Sequence, residues 1–257
     1  VPRPPLPAAF LGAPIAHRGL HDRAAGRVEN SLAAAAAAVA GGYGIEIDLQ
    51  SSADGIAMVF HDETLDRLTA ESGPVAARPA AELARIPLSG GGGTIPTFAA
   101  LLALVDGRVP LLVELKDRTG ALAASDGVLE AAVARDLAGY AGPVAVMSFS
   151  PAMVAHLARL APGVPRGLTT DAFDPADWAP LPAGTCARLR DIADYDAVGA
   201  SFVSHLWRDL SRPRIAELKA GGAAILCWTV RSPKEEAAAR RIAHNVTFEG
   251  YAAARPA

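Results

Sequence analysis

Cysteine, aromatic residues, net charge and long apolar runs are all scarce in this chain, and each scarcity narrows what it can be. Only Cys186 and Cys227 occur among 257 residues, and a chain of that length buries enough core to fold without disulfide staples. A reducing compartment, the cytoplasm, is the expectation; the chain begins at Val1, so a removed leader peptide is compatible with it. Formal net charge is only −3, which supplies no broad basic face for a nucleic-acid backbone or an anionic membrane. No apolar stretch approaches the roughly 18 residues of a spanning segment, so stable membrane insertion is not expected. Aromatics at 5% offer little of the apolar approach surface that a lipid aggregate requires. A small-molecule partner is left as the favoured one.

What the chain does have is alternation. Short runs rich in β-branched residues are separated by alanine-rich or amphipathic stretches of helical length, the pattern of parallel strands joined by crossover helices. Strands are predicted at Pro14 to Gly19, Tyr43 to Leu49, Pro110 to Lys116, Val144 to Phe149, Arg166 to Thr170, Ala200 to His205, Ala224 to Val230 and Val246 to Glu249. Helices are predicted at Ser31 to Ala40, Thr97 to Val105, Ala121 to Ala138, Pro151 to Leu160, Cys186 to Tyr195, Leu210 to Ala220 and Pro233 to Ile242. Eight strands in this alternation predict an α/β fold, a (β/α)8 TIM barrel spanning residues 1–257 as one domain. Residues 62–95 break the alternation and read as a small inserted subdomain after the second strand. Its Gly90 to Gly93 run lacks the Lys-Ser or Lys-Thr of a phosphate-binding loop, so a flexible connection is expected there.

The barrel mouth collects the chemistry. In this fold functional residues sit where strands end at the carboxyl face. The first strand ends in His17-Arg18-Gly19, the second carries Glu46-Ile47-Asp48, and the third ends in Glu114-Leu115-Lys116. Asp54-Gly55 is a tight-turn pair, and a hairpin turning there returns His61 to about the level of Asp48. Alternate residues of a strand share a face, so Glu46, Asp48 and Glu114 are expected to converge on the axis. Three gathered acids repel one another unless a cation neutralises them, and an all-oxygen ligand set points to one divalent ion, Mg²⁺ or Ca²⁺. Such an ion binds phosphate oxygens, with Arg18 and Lys116 adding fixed positive charge on the same group. Two histidines, His17 and His61, meet the need for a base to activate the nucleophile and an acid to protonate the departing alkoxide.

These residues resemble the glycerophosphodiester phosphodiesterase family. The matching strings are Ile15-Ala16-His17-Arg18-Gly19, Glu29-Asn30-Ser31, Gly44-Ile45-Glu46-Ile47-Asp48-Leu49, Asp54-Gly55 followed by Val59-Phe60-His61-Asp62, Ile95-Pro96-Thr97, Val113-Glu114-Leu115-Lys116, Ser148-Phe149 and Trp228-Thr229-Val230. The resemblance implies a TIM barrel with a small insertion and hydrolysis of glycerophosphodiesters to sn-glycerol 3-phosphate and an alcohol. It further implies His17 and His61 as the acid/base pair, Glu46, Asp48 and Glu114 as metal ligands, Arg18 and Lys116 as phosphate or glycerol contacts, and Trp228 as an apolar pocket wall. One departure lies at the last strand, where many members read Thr-Asp-Tyr-Pro and this chain reads Thr247-Phe248-Glu249-Gly250-Tyr251. It bears on the shape of that side of the mouth rather than on the chemistry.

The remaining polar residues receive plainer readings. Asn30 reads first as a helix N-cap. His156 and His244 read as surface residues, and His21 as loop. His205 closes a strand on the active face and is a candidate for the pocket. Asp62 and Asp66 read as solvated or capping residues. Two other functions compete with diester hydrolysis: cleavage of lysophospholipid or sphingolipid head groups on a related barrel, and a non-catalytic metal- or phosphate-binding barrel. A zinc hydrolase is disfavoured, because His17-Arg18-Gly19-Leu20-His21 lacks the closely spaced His-x-His of such sites.

Overall fold

The computed structural model describes residues 2–122 and 124–255; Val1, Ala123, Pro256 and Ala257 lie outside it. Eight parallel strands close into a barrel: β1 (Ile15–Ala16), β2 (Gly44–Ser51), β4 (Leu111–Leu115), β5 (Val144–Ser148), β6 (Arg166–Thr170), β7 (Phe202–Leu206), β8 (Ala224–Val230) and β9 (Asn245–Phe248). The pairing of β1 with both β2 and β9 completes the ring, and β3 (Ala57–Val59) returns antiparallel on β2. Helices α1 (Leu32–Gly41), α3 (Phe98–Val105), α4 (Val128–Leu137), α5 (Pro151–Leu160), α6 (Ala183–Arg190), α7 (Pro213–Ala220) and α8 (Pro233–Ala239) surround it, and α2 (Ala80–Leu83) lies in the insertion. This is the (β/α)8 architecture that the alternation predicts.

Strands buried on both faces explain the near-continuous apolar runs. Outward residues such as Ile45, Ile47, Val113 and Val146 pack under the helices in one large cluster. Inward residues Ile15, Leu112, Ala145, Phe202 and Leu226 fill the barrel, with Phe10 joining them from the N-terminal segment. Leu112 and Glu114 share the inward face of β4, so the interior column passes from apolar at the base to charged at the mouth. Among the described residues no helix is long and apolar enough to cross a membrane.

Several predicted elements are shorter or displaced, among them α7 and α8, each three residues shorter than predicted. The first strand ends its ladder at Ala16, because Arg18 (φ 54°) and Gly19 (φ 79°) leave the extended region. A side chain at Gly19 would stand 2.9 Å from the Ala34 backbone, so the loop lies against α1 only because that residue is glycine. The helix predicted from Ala121 to Ala138 begins at Val128 instead: Asp117 ties the chain into a local turn through the Thr119 and Leu122 amides, and Gly127 is left-handed. Ala123, inside that predicted span, lies outside the described residues. The helix predicted from Cys186 to Tyr195 runs from Ala183 to Arg190.

Residues 62–95 build a small cluster of their own, in which Leu65, Leu68, Leu83 and Ile86 pack against Val28, Met58 and Phe60. The glycine run, expected from sequence to be a flexible connection, has a packing role as well. It lies across the β1–α1 loop so closely that a Cβ at Gly91 would meet Gly26 O at 3.0 Å, and one at Gly92 would meet Ser31 Oγ at 3.0 Å. Glycine is used here for close approach at positive φ.

Candidate active site

Strand register assembles the acids. Asp48 on β2 stands directly opposite Glu114 on β4, and Glu46 lies two residues below Asp48 on the same face. All three carboxylates are buried, and one oxygen from each falls within 4.8 Å of the others. Lys116, just past the end of β4, places Nζ 2.7 Å from Asp48 Oδ1 and also donates to Glu114 Oε1. From the β1–α1 loop, Arg18 sets Nε 3.3 Å from Asp48 Oδ2 and donates its backbone N–H to Glu46 Oε2 at 3.0 Å. Arg18 Nε is buried without a hydrogen-bond partner.

Charge is unevenly resolved within this cluster. Burial raises the Glu46 carboxyl far above the usual carboxylate range, and Asp48 and Glu114 push it further. Burial acts on Asp48 in the same sense, but Lys116, His61 and Arg18 outweigh it and hold that group below the usual range. Lys116 is raised against the effect of its own burial by Asp48 and Glu114. Lys116 and Arg18, the latter shared with Glu29, face these three acids, and the cost of ionising all three together falls on Glu46. A divalent cation among the three carboxylates would offset that cost.

Both histidines carry a carboxylate on Nδ1. His17, immediately beyond β1, has Nδ1 2.5 Å from Glu249 Oε2, and its Nε2 stands 4.0 Å from Glu46 Oε2. Burial lowers its pKa, with the Glu249 bond acting in the opposite sense. His61, at the end of the β3 return, has Nδ1 2.7 Å from Asp62 Oδ1. Arg67 of the insertion grips both Asp62 oxygens (2.6 and 2.8 Å) and both Glu29 oxygens (2.9 and 2.8 Å), and Glu29 in turn accepts from Arg18 at 2.5 Å.

All eight residues singled out from sequence, namely His17, Arg18, Glu46, Asp48, His61, Glu114, Lys116 and Trp228, line one cavity of about 170 Å³ at the mouth. Met147, Phe149, Thr229, Arg231 and Thr247 complete its wall. Trp228 and Thr229 are consecutive yet both line it, which strict strand alternation forbids; the β8–β9 register shifts between Cys227 and Val230. Trp228 is held by Nε1 donating to Ser204 O at 3.0 Å and packs edge-to-face with Phe149.

The chain matches the family model of the glycerophosphoryl diester phosphodiesterases over residues 17–247. It belongs to that family. The structure is likewise similar to an Oleispira antarctica phosphodiesterase solved with the product sn-glycerol-3-phosphate, at a TM-score of 0.74 and 25% identity over 93% of this chain and 94% of that one. A glycerophosphodiester phosphodiesterase of Agrobacterium tumefaciens str. C58 gives a TM-score of 0.68 and 26% identity over 93% and 96%. In sequence, YhdW of Bacillus subtilis (strain 168), whose name describes a glycerophosphodiester phosphodiesterase, is 28% identical over 87% of this chain and 88% of its own. The protein is thus a glycerophosphodiester phosphodiesterase, a phosphoric diester hydrolase.

Within this phosphodiesterase several plainer readings change. The N-cap of α1 is Ser31, whose Oγ accepts from Ala34 N at 3.1 Å, and not Asn30. Asn30 is buried at φ 57°, donating Nδ2 to Asp48 Oδ2 at 2.8 Å and accepting from Asp48 N at 3.2 Å. Asp62 is no solvated bystander but the partner of His61 and Arg67. Asp66 does cap locally, accepting from Gly73 N at 3.3 Å. His205 is fully buried between Thr170 Oγ1 and Asp209, and is not among the residues that line the cavity. Sequence reasoning missed Glu29, Arg67 and Glu249 as members of the site. Only Glu29 and Glu249 were flagged, by motif position and by departure from the family pattern.

Proposed function

We propose that this phosphodiesterase hydrolyses glycerophosphodiesters to sn-glycerol 3-phosphate and an alcohol, with His17 and His61 as the general acid/base pair and Glu46, Asp48 and Glu114 as the ligands of one divalent cation. The observation that carries the reading is the meeting of two imidazoles, three buried carboxylates and two fixed cations around one cavity. The donor set is all oxygen, which suits Mg²⁺ or Ca²⁺, and the burial and acid–acid repulsion that raise the Glu46 carboxyl are what a bound cation would offset. When bound, such an ion supplies Lewis-acid polarisation of the phosphoryl oxygens.

The chain's own groups do the rest. Arg18 and Lys116, the two fixed cations on the cavity wall, hold the phosphoryl oxygens and stabilise charge that develops on them. His17, whose pKa burial lowers, is neutral near pH 7 and suited to take the proton of the attacking hydroxyl. His61, which lines the same cavity, is assigned the protonation of the leaving alkoxide. Trp228 and Phe149 wall off the glycerol side. The same residues serve attack by water or by a glycerol hydroxyl, and a substrate whose glycerol hydroxyl is replaced by hydrogen separates the two. A product complex in the Oleispira relative supports the choice of substrate class.

Release of glycerol 3-phosphate from glycerophosphocholine, with and without chelator, tests the proposal. Activity lost on chelation, restored by Mg²⁺ or Ca²⁺ and abolished by His17→Ala or His61→Ala supports it. Binding without turnover under both metals would overturn it in favour of a binding module.

A further inference from the structure

We propose that Glu249 is a positioning residue of the reaction: through its bond to Nδ1 it fixes the tautomer and orientation of His17, leaving Nε2 as the nitrogen offered to the phosphodiester. The inference rests on the reading of His17 as half of the acid/base pair and adds a residue that reading does not contain. A neutral imidazole carries one donor and one acceptor nitrogen, and whatever accepts from one decides what the other presents.

The backbone makes this contact specific. Ala16 and Phe248 are register partners on β1 and β9, and His17 N donates to Phe248 O at 2.9 Å. His17 and Glu249 are therefore the next pair up, at the seam where the barrel closes. Glu249 N is itself pinned to Val230 O at 3.0 Å. The carboxylate is held at three points: Oε2 to His17 at 2.5 Å and to His21 at 3.5 Å, and Oε1 to Arg231 Nε at 2.7 Å. The bonds to His17 and His21, and then the Arg231 guanidinium, hold its carboxyl well below the usual range against its burial, and two fixed oxygens leave it one orientation in which to receive the imidazole N–H. A fourth carboxylate beside a three-acid cluster is costly in repulsion alone, and the guanidinium and imidazole contacts offset that cost.

His17, His21 and Glu249 also offer ligand atoms within 4.8 Å of one another, as a metal site would. Two features argue against one. Nitrogen and oxygen ligands about 2.0–2.2 Å from a common ion lie roughly 3 Å apart, farther than the 2.5 Å between His17 and Glu249, and a guanidinium already occupies the other oxygen.

The test begins with the wild-type enzyme. Histidine ¹H–¹⁵N correlation spectra, with the His17 signals identified by their loss in His17→Ala, are expected to show the Nδ1–H tautomer; the Nε2–H tautomer would sink the proposal. Steady-state kinetics on glycerophosphocholine then compare Glu249→Gln and Glu249→Asp. Glu249→Gln is expected to lower kcat roughly 10- to 100-fold, part of the whole value of a general acid or base, with KM within about threefold of wild type and Glu249→Asp recovering part of the loss. A Glu249→Gln enzyme at wild-type kcat, or one whose loss lies in KM, overturns the proposal. So does a second equivalent of divalent ion that binds wild type and is lost in Glu249→Gln. Wild-type turnover is the separate check on the underlying function, since its absence would undermine that reading while leaving the tautomer measurement to stand.

Discussion

Asp48 and Glu114 are register partners on adjacent parallel strands, and with Glu46 also on β2 all three candidate ligands are placed by the sheet itself rather than by loops. Positions on regular strands hold side chains to tighter tolerances than loops do, and the consequence is measurable. Asp48→Asn or Glu114→Gln should weaken Mg²⁺ or Ca²⁺ binding by calorimetry and lower kcat/KM at least about 100-fold, with the fold intact by circular dichroism.

Glu46 adds a prediction of opposite sign for stability. Its folded-state pKa is raised, by burial first and then by Asp48 and Glu114, so in the metal-free protein its charge opposes folding once pH exceeds the unfolded carboxylate value. In chelator at pH 7, Glu46→Gln should raise the melting temperature by about 2–4 °C for each kcal/mol of repulsion relieved. With saturating metal the ranking should reverse. A metal-free wild type that melts above the variant would contradict this.

Acid sensitivity should trace to Arg67. Glu29 is held at about 2, where burial opposes and bonds from Arg67 and Arg18 prevail, and Asp62 at about 2 chiefly through its Arg67 bonds. Folded values depressed in this way contribute stability above the unfolded range near pH 4, lost as pH falls towards 2. Arg67 is half exposed, so the contribution is discounted for screening to about 1–2 kcal/mol. Urea unfolding of Arg67→Met should show that deficit at pH 7, shrinking as pH falls through this window.

The pH–rate profile follows from His17. Burial lowers its pKa below 6.5, against the pull of Glu249, and a nearby bound cation acts in the same direction. The acidic limb of kcat/KM should therefore lie below pH 6.5, with no further gain from His17 deprotonation above it. A limb centred above pH 7 would reassign the base.

Trp228 is predicted to act on binding. Trp228→Ala removes a wall packed on Phe149, and a loss on the order of 1 kcal/mol corresponds to a KM several-fold higher, with kcat changed much less.

The parts of the site legible from sequence were those whose geometry follows from periodicity. Glu46, Asp48 and Glu114 converge because a strand repeats every two residues, and His61 reaches their level because Asp54-Gly55 turns the hairpin. What stayed hidden depends on contacts between segments far apart in the chain. Nothing local distinguishes Arg67 from any exposed arginine, and its partners Asp62 and Glu29 meet only when the insertion folds back over the β1–α1 loop. Asn30 was misread because two adjacent residues could each cap α1, and only the backbone turn at φ 57° decides that Ser31 does. The helix predicted from Ala121 fails for a similar reason: alanine favours helix, while Asp117 and Gly127 impose a turn.

Arg67 makes the insertion less interchangeable than a surface loop. It acts as a rivet joining an added module to both sides of the candidate site, through Asp62 to His61 and through Glu29 to Arg18. A chimera that grafts the corresponding segment from a relative must bring an arginine to the same spot, or it will inherit a loosened centre however well the graft itself folds.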